Sequence, residues 1–220
     1  MKKIILSLDT SLNYCSVSLL VDNCIDSLFE KCKQNQTKII LPMIKKILKR
    51  NLINLDEINL IGVTHGPGEL TGIRTGICVS KSIAIIKKIP LISVSTISIL
   101  AEQSKRLHLL NKVLVVMNFN KNKIFLGKYS INNKHGIFEL KGKERLLKYS
   151  DFDIKKLNLD NEWTIIGNMS KKENFERNKK IKFIKISVPN AIDIIPFANF
   201  FYKNKNNFKN IKNIKVNYLF

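Results

Sequence analysis

Acidic side chains and histidines are scarce in this 220-residue chain: 17 Asp and Glu stand against 38 Lys and Arg, with three His. His65, His108 and His135 lie far apart and no pair falls at i, i+4, which excludes a His-x-x-x-His metal site on a helix. The four cysteines (Cys15, Cys24, Cys32, Cys78) have no metal-ligand spacing, so reduced thiols in or near the core are expected. Ser-x-x-Lys and Gly-x-Ser-x-Gly motifs and clustered carboxylates are missing, and with them any complete catalytic set. No apolar run approaches the roughly 20 residues that span a bilayer. The opening run Ile4–Leu8 is stopped by Asp9, too short for an export signal, so a cytoplasmic chain with no membrane partner is expected.

The net charge of +21 fits contact with phosphates. Lysine, asparagine and isoleucine nevertheless crowd every segment, core segments included, so the charge reads equally as a drift of the whole composition. No surface aromatic cluster stands out for base stacking. At this length the chain can bury about 70% of its unfolded surface, and its 45% apolar content suits a globular fold.

The most distinctive stretch runs from Gly66 to Gly76, Gly-Pro-Gly-Glu-Leu-Thr-Gly-Ile-Arg-Thr-Gly. A buried strand, Leu60–Val63, leads into it. Gly66, Pro67 and Gly68 force a turn, and a helix pattern runs from Ile73 to about Lys88. Strand, glycine turn and helix bring free N–H groups and a positive helix end to one spot, which can hold an anion or be a tight corner under a packed helix. Gly72 is followed by Ile73-Arg74, not Lys-Ser/Thr, so this is no Walker A loop. Gly66, Gly68 and Gly72 are spaced one residue too wide for a Rossmann fingerprint.

Before this stretch, Ile4–Leu8, Ser16–Val21 and Ile25–Glu30 read as a strand meander turning at Asp22-Asn23. Residues 37–51 form an amphipathic helix with Thr37 as N-cap and a kink at Pro42. Its apolar side carries Ile39, Ile40, Met43, Ile44 and Ile47. The helix from Ile73 carries Ile73, Ile77, Ser80 and Ala84, with the small residues Gly76, Ser80 and Ala84 at i, i+4, i+8, a spacing that lets a second helix approach, whether internal or from a partner. Further on, the pattern predicts a strand at Pro90–Ser95, a helix from Thr96 to about Leu107, and strands at Val113–Met117, Ile124–Ile131, Trp163–Gly167 and Phe183–Ser187. Lys171–Lys182 reads as loop and Ala191–Tyr202 as a helix containing Pro196. Asn204–Lys215 reads as a poorly packed tail before a last strand, Val216–Phe220.

Asp9-Thr10-Ser11 after the first strand, Cys15–Leu19, Leu41-Pro-Met43, Gly66-Pro-Gly68 with Thr71-Gly72-Ile-Arg74 and Gly76, and Ile89–Ser95 together resemble the TsaB family. These are bacterial subunits of the machinery that makes threonylcarbamoyladenosine (t6A) in tRNA. The likeness is strong over residues 1–105 and weak beyond. It implies a two-lobed α/β fold of the actin/Hsp70, RNase H-like kind, with mixed sheets flanked by helices. The lobes are expected at 1–107 and 108–220, the second smaller and divergent. It implies no catalysis by this chain alone and no metal. Its heterodimer partner is the catalytic paralogue TsaD, which docks on the two apolar helices. TsaE, an ATPase, is a third subunit, tRNA is met through the complex, and ATP or ADP can lie at the junction. The partner surface is then Ile39, Ile40, Met43, Ile44, Ile47, Ile73, Ile77, Ser80 and Ala84, and a homodimer forms on it when TsaD is absent. Asp9, Thr10, Gly66, Gly68, Thr71, Gly72 and Arg74 make the structural corner or an anion contact. The alternative is an actin-fold ATPase or kinase acting alone. The chain departs from the family at Glu69-Leu70, at Thr75, at Gln36 where a histidine is common, and in the second lobe at Asn118, Asn120 and Lys123.

Overall fold

The opening apolar run forms a strand buried along its whole length, which requires cover on both faces of the sheet. The structure, a computed structural model, describes residues 2–33, 35–157, 159–160, 162–168, 182–204 and 214. Among these the elements run β1 (Ile4–Asp9), β2 (Tyr14–Val21), β3 (Cys24–Lys31), α1 (Gln36–Arg50), β4 (Leu60–Thr64), α2 (Leu70–Lys87), β5 (Leu91–Val94), α3 (Thr96–His108), β6 (Lys112–Asn118), β7 (Lys123–Ile131), β8 (Phe138–Leu140), β9 (Arg145–Lys148), β10 (Thr164–Gly167), β11 (Phe183–Lys185) and α4 (Ile195–Lys203). This is the α/β arrangement of two mixed sheets flanked by helices that the sequence leads one to expect. No helix among the described residues is long and apolar enough to cross a membrane.

In the first unit the sheet order is β3-β2-β1-β4-β5. β1 pairs antiparallel with β2 and parallel with β4, and β4 pairs parallel with β5. Alternation then sorts the side chains. Leu6, Leu8, Val17, Leu19, Ile61 and Val63 share a core with the inner sides of α1 and α2. The opposite face is more polar and carries Ser7, Ser16 and Gly62, met by a 3-10 turn at Ala191–Ile194 and by α4. Ala191 N–H donates to Ser16 Oγ at 2.8 Å. Gly62 permits that approach, since a Cβ there would stand 2.6 Å from Ile194 Cγ2.

The second unit has the order β11-β10-β6-β7-β8, with β9 also pairing β7. Val113, Val115 and Met117 of β6 face α3, while Leu114 and Val116 face Phe152 and Ile154. The expected division at 107/108 is not where the chain parts. The first unit comprises residues up to Thr96 with the described residues from Pro189 onward, and the second is Ile97–Val188. The cause is α3, whose Ile97, Leu100 and Ala101 lie in one core with Val113, Val115 and Phe125.

Other boundaries also move. α1 starts at Gln36 with Asn35, not Thr37, as its cap residue, and Pro42 does not interrupt it. α2 starts at Leu70, not Ile73. Pro196 lies in the first turn of α4, where its missing N–H costs no helical bond, so it opens that helix. Cys15 and Cys32 are buried, but Cys24 and Cys78 are exposed. Apart from Lys182, Asn204 and Ile214, the expected loop at 171–182, tail at 204–215 and last strand at 216–220 lie outside the described residues.

Candidate functional site

Asp9 ends β1 and Thr64 ends the parallel strand beside it, so the two turns that follow leave the sheet side by side. Thr64 Oγ1 donates to Asp9 Oδ1 at 2.7 Å, and Ser11 N–H donates to the same oxygen at 3.3 Å. Thr10 Oγ1 donates to the Gly72 carbonyl at 2.7 Å, and Glu69 N–H donates to the Ser11 carbonyl at 2.7 Å. The turn itself uses Gly66 at φ 104°, a left-handed value that favours glycine.

Gly68, Gly72 and Gly76 serve contact, not flexibility. A Cβ at Gly68 would lie 2.1 Å from the Ser11 carbonyl oxygen, at Gly72 2.1 Å from that of Thr10, and at Gly76 2.4 Å from Thr10 Oγ1. The Thr10-Ser11 backbone fills the space that the glycines leave. Glu69 adds a carboxylate at the cap position of α2, where an anion would have to approach. The contacts observed here are those of a tight corner between the two turns. Thr71 and Arg74 lie on the exposed side of α2.

Gln36 belongs to the corner although sequence reasoning did not place it there. Only 2% exposed, it donates from Nε2 to the Leu12 carbonyl at 3.2 Å and to Glu69 Oε2 at 3.3 Å, tying the start of α1 to both turns. The available signal was its position at the start of α1, where the resembled family commonly has a histidine.

Burial pushes the Asp9 carboxyl above the ordinary carboxylate range, against the opposing pull of its hydrogen bonds from Thr64 and Ser11. The folded chain therefore holds this proton more tightly than the unfolded chain does. From the ordinary value of 3.8 up to the raised folded value, Asp9 makes stability fall as pH rises. Asp9→Asn keeps an oxygen for Thr64 and Ser11 and carries no charge. In urea titrations across pH 4–8, the variant's advantage over the parent should grow with pH and then level off; an advantage that shrinks with pH contradicts this account.

The nine residues expected to face a partner require correction. Ile40, Met43, Ile44, Ile47, Ile73, Ile77, Ser80 and Ala84 are buried, and Ile39 is half-buried against the same core. The small-residue stripe at Gly72, Gly76, Ser80 and Ala84 is likewise buried, with Gly72 and Gly76 against the Asp9 turn. What α1 and α2 turn outward is different: Leu41, Ile85 and Ile86 are 54%, 61% and 73% exposed, among Lys38, Lys45, Thr71, Arg74 and Cys78.

The family model for TsaD, tRNA N6-adenosine threonylcarbamoyltransferase, matches residues 29–138. The tRNA threonylcarbamoyladenosine biosynthesis protein TsaB of Buchnera aphidicola subsp. Acyrthosiphon pisum is 38% identical over 220 residues, covering 100% of this chain and 99% of the relative. The Escherichia coli (strain K12) protein of the same description is 31% identical over 163 residues, 74% of this chain and 70% of its own length. The structure of YeaZ from Pseudomonas aeruginosa superposes with a TM-score of 0.83 at 23% identity, over 99% of this chain and 100% of that one, and so shares the fold.

Proposed function

The chain belongs to the TsaB family and has a role in tRNA threonylcarbamoyladenosine biosynthesis, and we propose that it acts there as a non-catalytic subunit that holds and activates TsaD. The observation that carries this reading is the set of exposed apolar side chains on α1 and α2: Leu41, Leu70, Ile85 and Ile86. Large aliphatic groups that far into water, on two helices braced by one rigid corner, favour a protein partner. The inner faces of the same helices hold this chain together, and their outer faces hold TsaD. Lysines among the apolar residues give the surface a polar rim.

A lone ATPase is the weaker reading, because Asp9 is committed to Thr64 and Ser11 inside the protein. ATP or ADP finds no cradle in the Gly66–Gly76 corner. In this reading TsaE and tRNA join through the assembled complex, in the cytoplasm. Without TsaD, the same outward faces pair two copies of this chain.

Ile86→Arg tests the proposal. Co-expressed with TsaD from the same source, the parent should co-purify as a heterodimer, and the variant should lose at least about tenfold in affinity with its melting temperature unchanged. Equal capture of TsaD by both proteins would remove α2 from the interface.

A further inference from the structure

Phe119 follows β6 and is 38% exposed, with its ring packed edge-to-face on Phe125 at 5.1 Å. Phe125 and Lys123 point to the same face of β7, and the strand register sets Lys123 directly opposite Lys148 of β9. Like charges in that position stand with Cβ atoms about 5 Å apart and repel. A few cations of this chain are answered, Arg50 by Asp26, Lys87 by Asp56 and Lys112 by Glu162; what sets Lys123 and Lys148 apart is that they face each other. Among the described residues no acid pairs with Lys123 or Lys148. The acids nearest in sequence to Lys148 are engaged elsewhere, since Glu144 accepts from the Tyr129 hydroxyl and Asp151 from Ser150 Oγ. The intervening turn is held in shape by Asn120 Oδ1, which accepts from the N–H groups of Asn122 and Lys123, each at 2.9 Å.

An uncompensated lysine pair beside an exposed, rigidly backed aromatic ring suits a ligand that brings negative charge and flat apolar faces together. Single-stranded nucleic acid does so, with phosphates for the lysines and bases for the ring. An acidic protein surface would neutralise the lysines and leave the ring unused. We propose that this edge of the second unit contacts RNA directly, Lys123 and Lys148 taking backbone phosphates and Phe119 stacking an unpaired base. The proposal rests on the chain's role in tRNA modification and is independent of how the chain holds TsaD.

The test is a fluorescence-anisotropy titration of a labelled anticodon stem-loop RNA with the full chain at several salt concentrations. Lys123→Gln/Lys148→Gln should flatten the slope of log affinity against log salt by about 1.4, roughly 0.7 for each single-strand phosphate that is no longer neutralised. Phe119→Ala should weaken binding about tenfold and leave the slope unchanged. Lys45→Gln/Lys49→Gln, on exposed positions of α1, should change much less. The proposal falls if the α1 pair weakens binding as much as the second-unit pair, if Phe119→Ala has no effect, or if polyglutamate displaces the RNA as well as unlabelled RNA does. TsaD capture by the Lys123→Gln/Lys148→Gln and Phe119→Ala variants should be intact, which separates this result from the heterodimer test. Its loss together with RNA binding would place the residues in the protein interface and overturn RNA contact.

Discussion

Gly72→Ala should lower the melting temperature by roughly 10 °C or leave no folded protein. The added methyl would stand 2.1 Å from the Thr10 carbonyl oxygen; a Cβ is fixed by its own backbone and the oxygen belongs to the backbone, so no side-chain rotation relieves the contact. Overpacking costs about 1–3 kcal/mol where side chains can adjust and more where they cannot. About 3 kcal/mol is worth roughly 6–12 °C in a domain of this size. The substitution would also push away the carbonyl that accepts from Thr10 Oγ1. Gly136→Ala is the control: nothing lies within 4 Å of its Cβ position, and only its φ of +67° opposes the change, at about 1 kcal/mol. Calorimetry on both variants checks the prediction. If Gly72→Ala melts within a few degrees of the parent, the close approach of the two turns is not what holds α2.

Ile47→Asp should abolish cooperative unfolding altogether. Ile47 is fully buried on the inner side of α1, in the core shared with Ile40, Val63 and Ile77. A carboxylate placed there has neither water nor a partner, and such burial costs more than about 4 kcal/mol, a large part of the whole stability of a typical domain. Ile86→Arg, on the outer side of α2, should stay within about 0.5 kcal/mol of the parent. Urea titrations followed by circular dichroism separate the two. A native-like midpoint for Ile47→Asp would mean that the inner side of α1 is not core, and inner and outer faces could no longer be told apart.

That distinction marks where sequence reasoning stopped. The periodicity of residues 37–51 showed that α1 has an apolar side and which residues lie on it, because the helical repeat is a local property. It did not show what that side rests on. Ile40, Met43 and Ile47 would have the same spacing against a partner or against a sheet, and the sheet is the answer. Gly76, Ser80 and Ala84 were equally ambiguous, since small residues admit any close neighbour. Here that neighbour includes the turn after β1, which arrives from far away in sequence. Gln36 and Glu69 carry no motif, and their contact exists only once α1 and α2 lie side by side.

Local pattern alone determined the β1–β3 meander, the helical stretches, the glycine turn after β4 and, through Asp9-Thr10-Ser11 and Gly66–Gly76, the family. Each depends on neighbours in sequence or on residue types with one backbone use. Only the tertiary structure decided that Gly68, Gly72 and Gly76 receive the chain's own backbone, that residues 191–203 return to the first sheet, and that α3 packs with the second. The reason is physical: an apolar or small side chain encodes a demand for close contact, and which surface meets it depends on segments dozens of residues away.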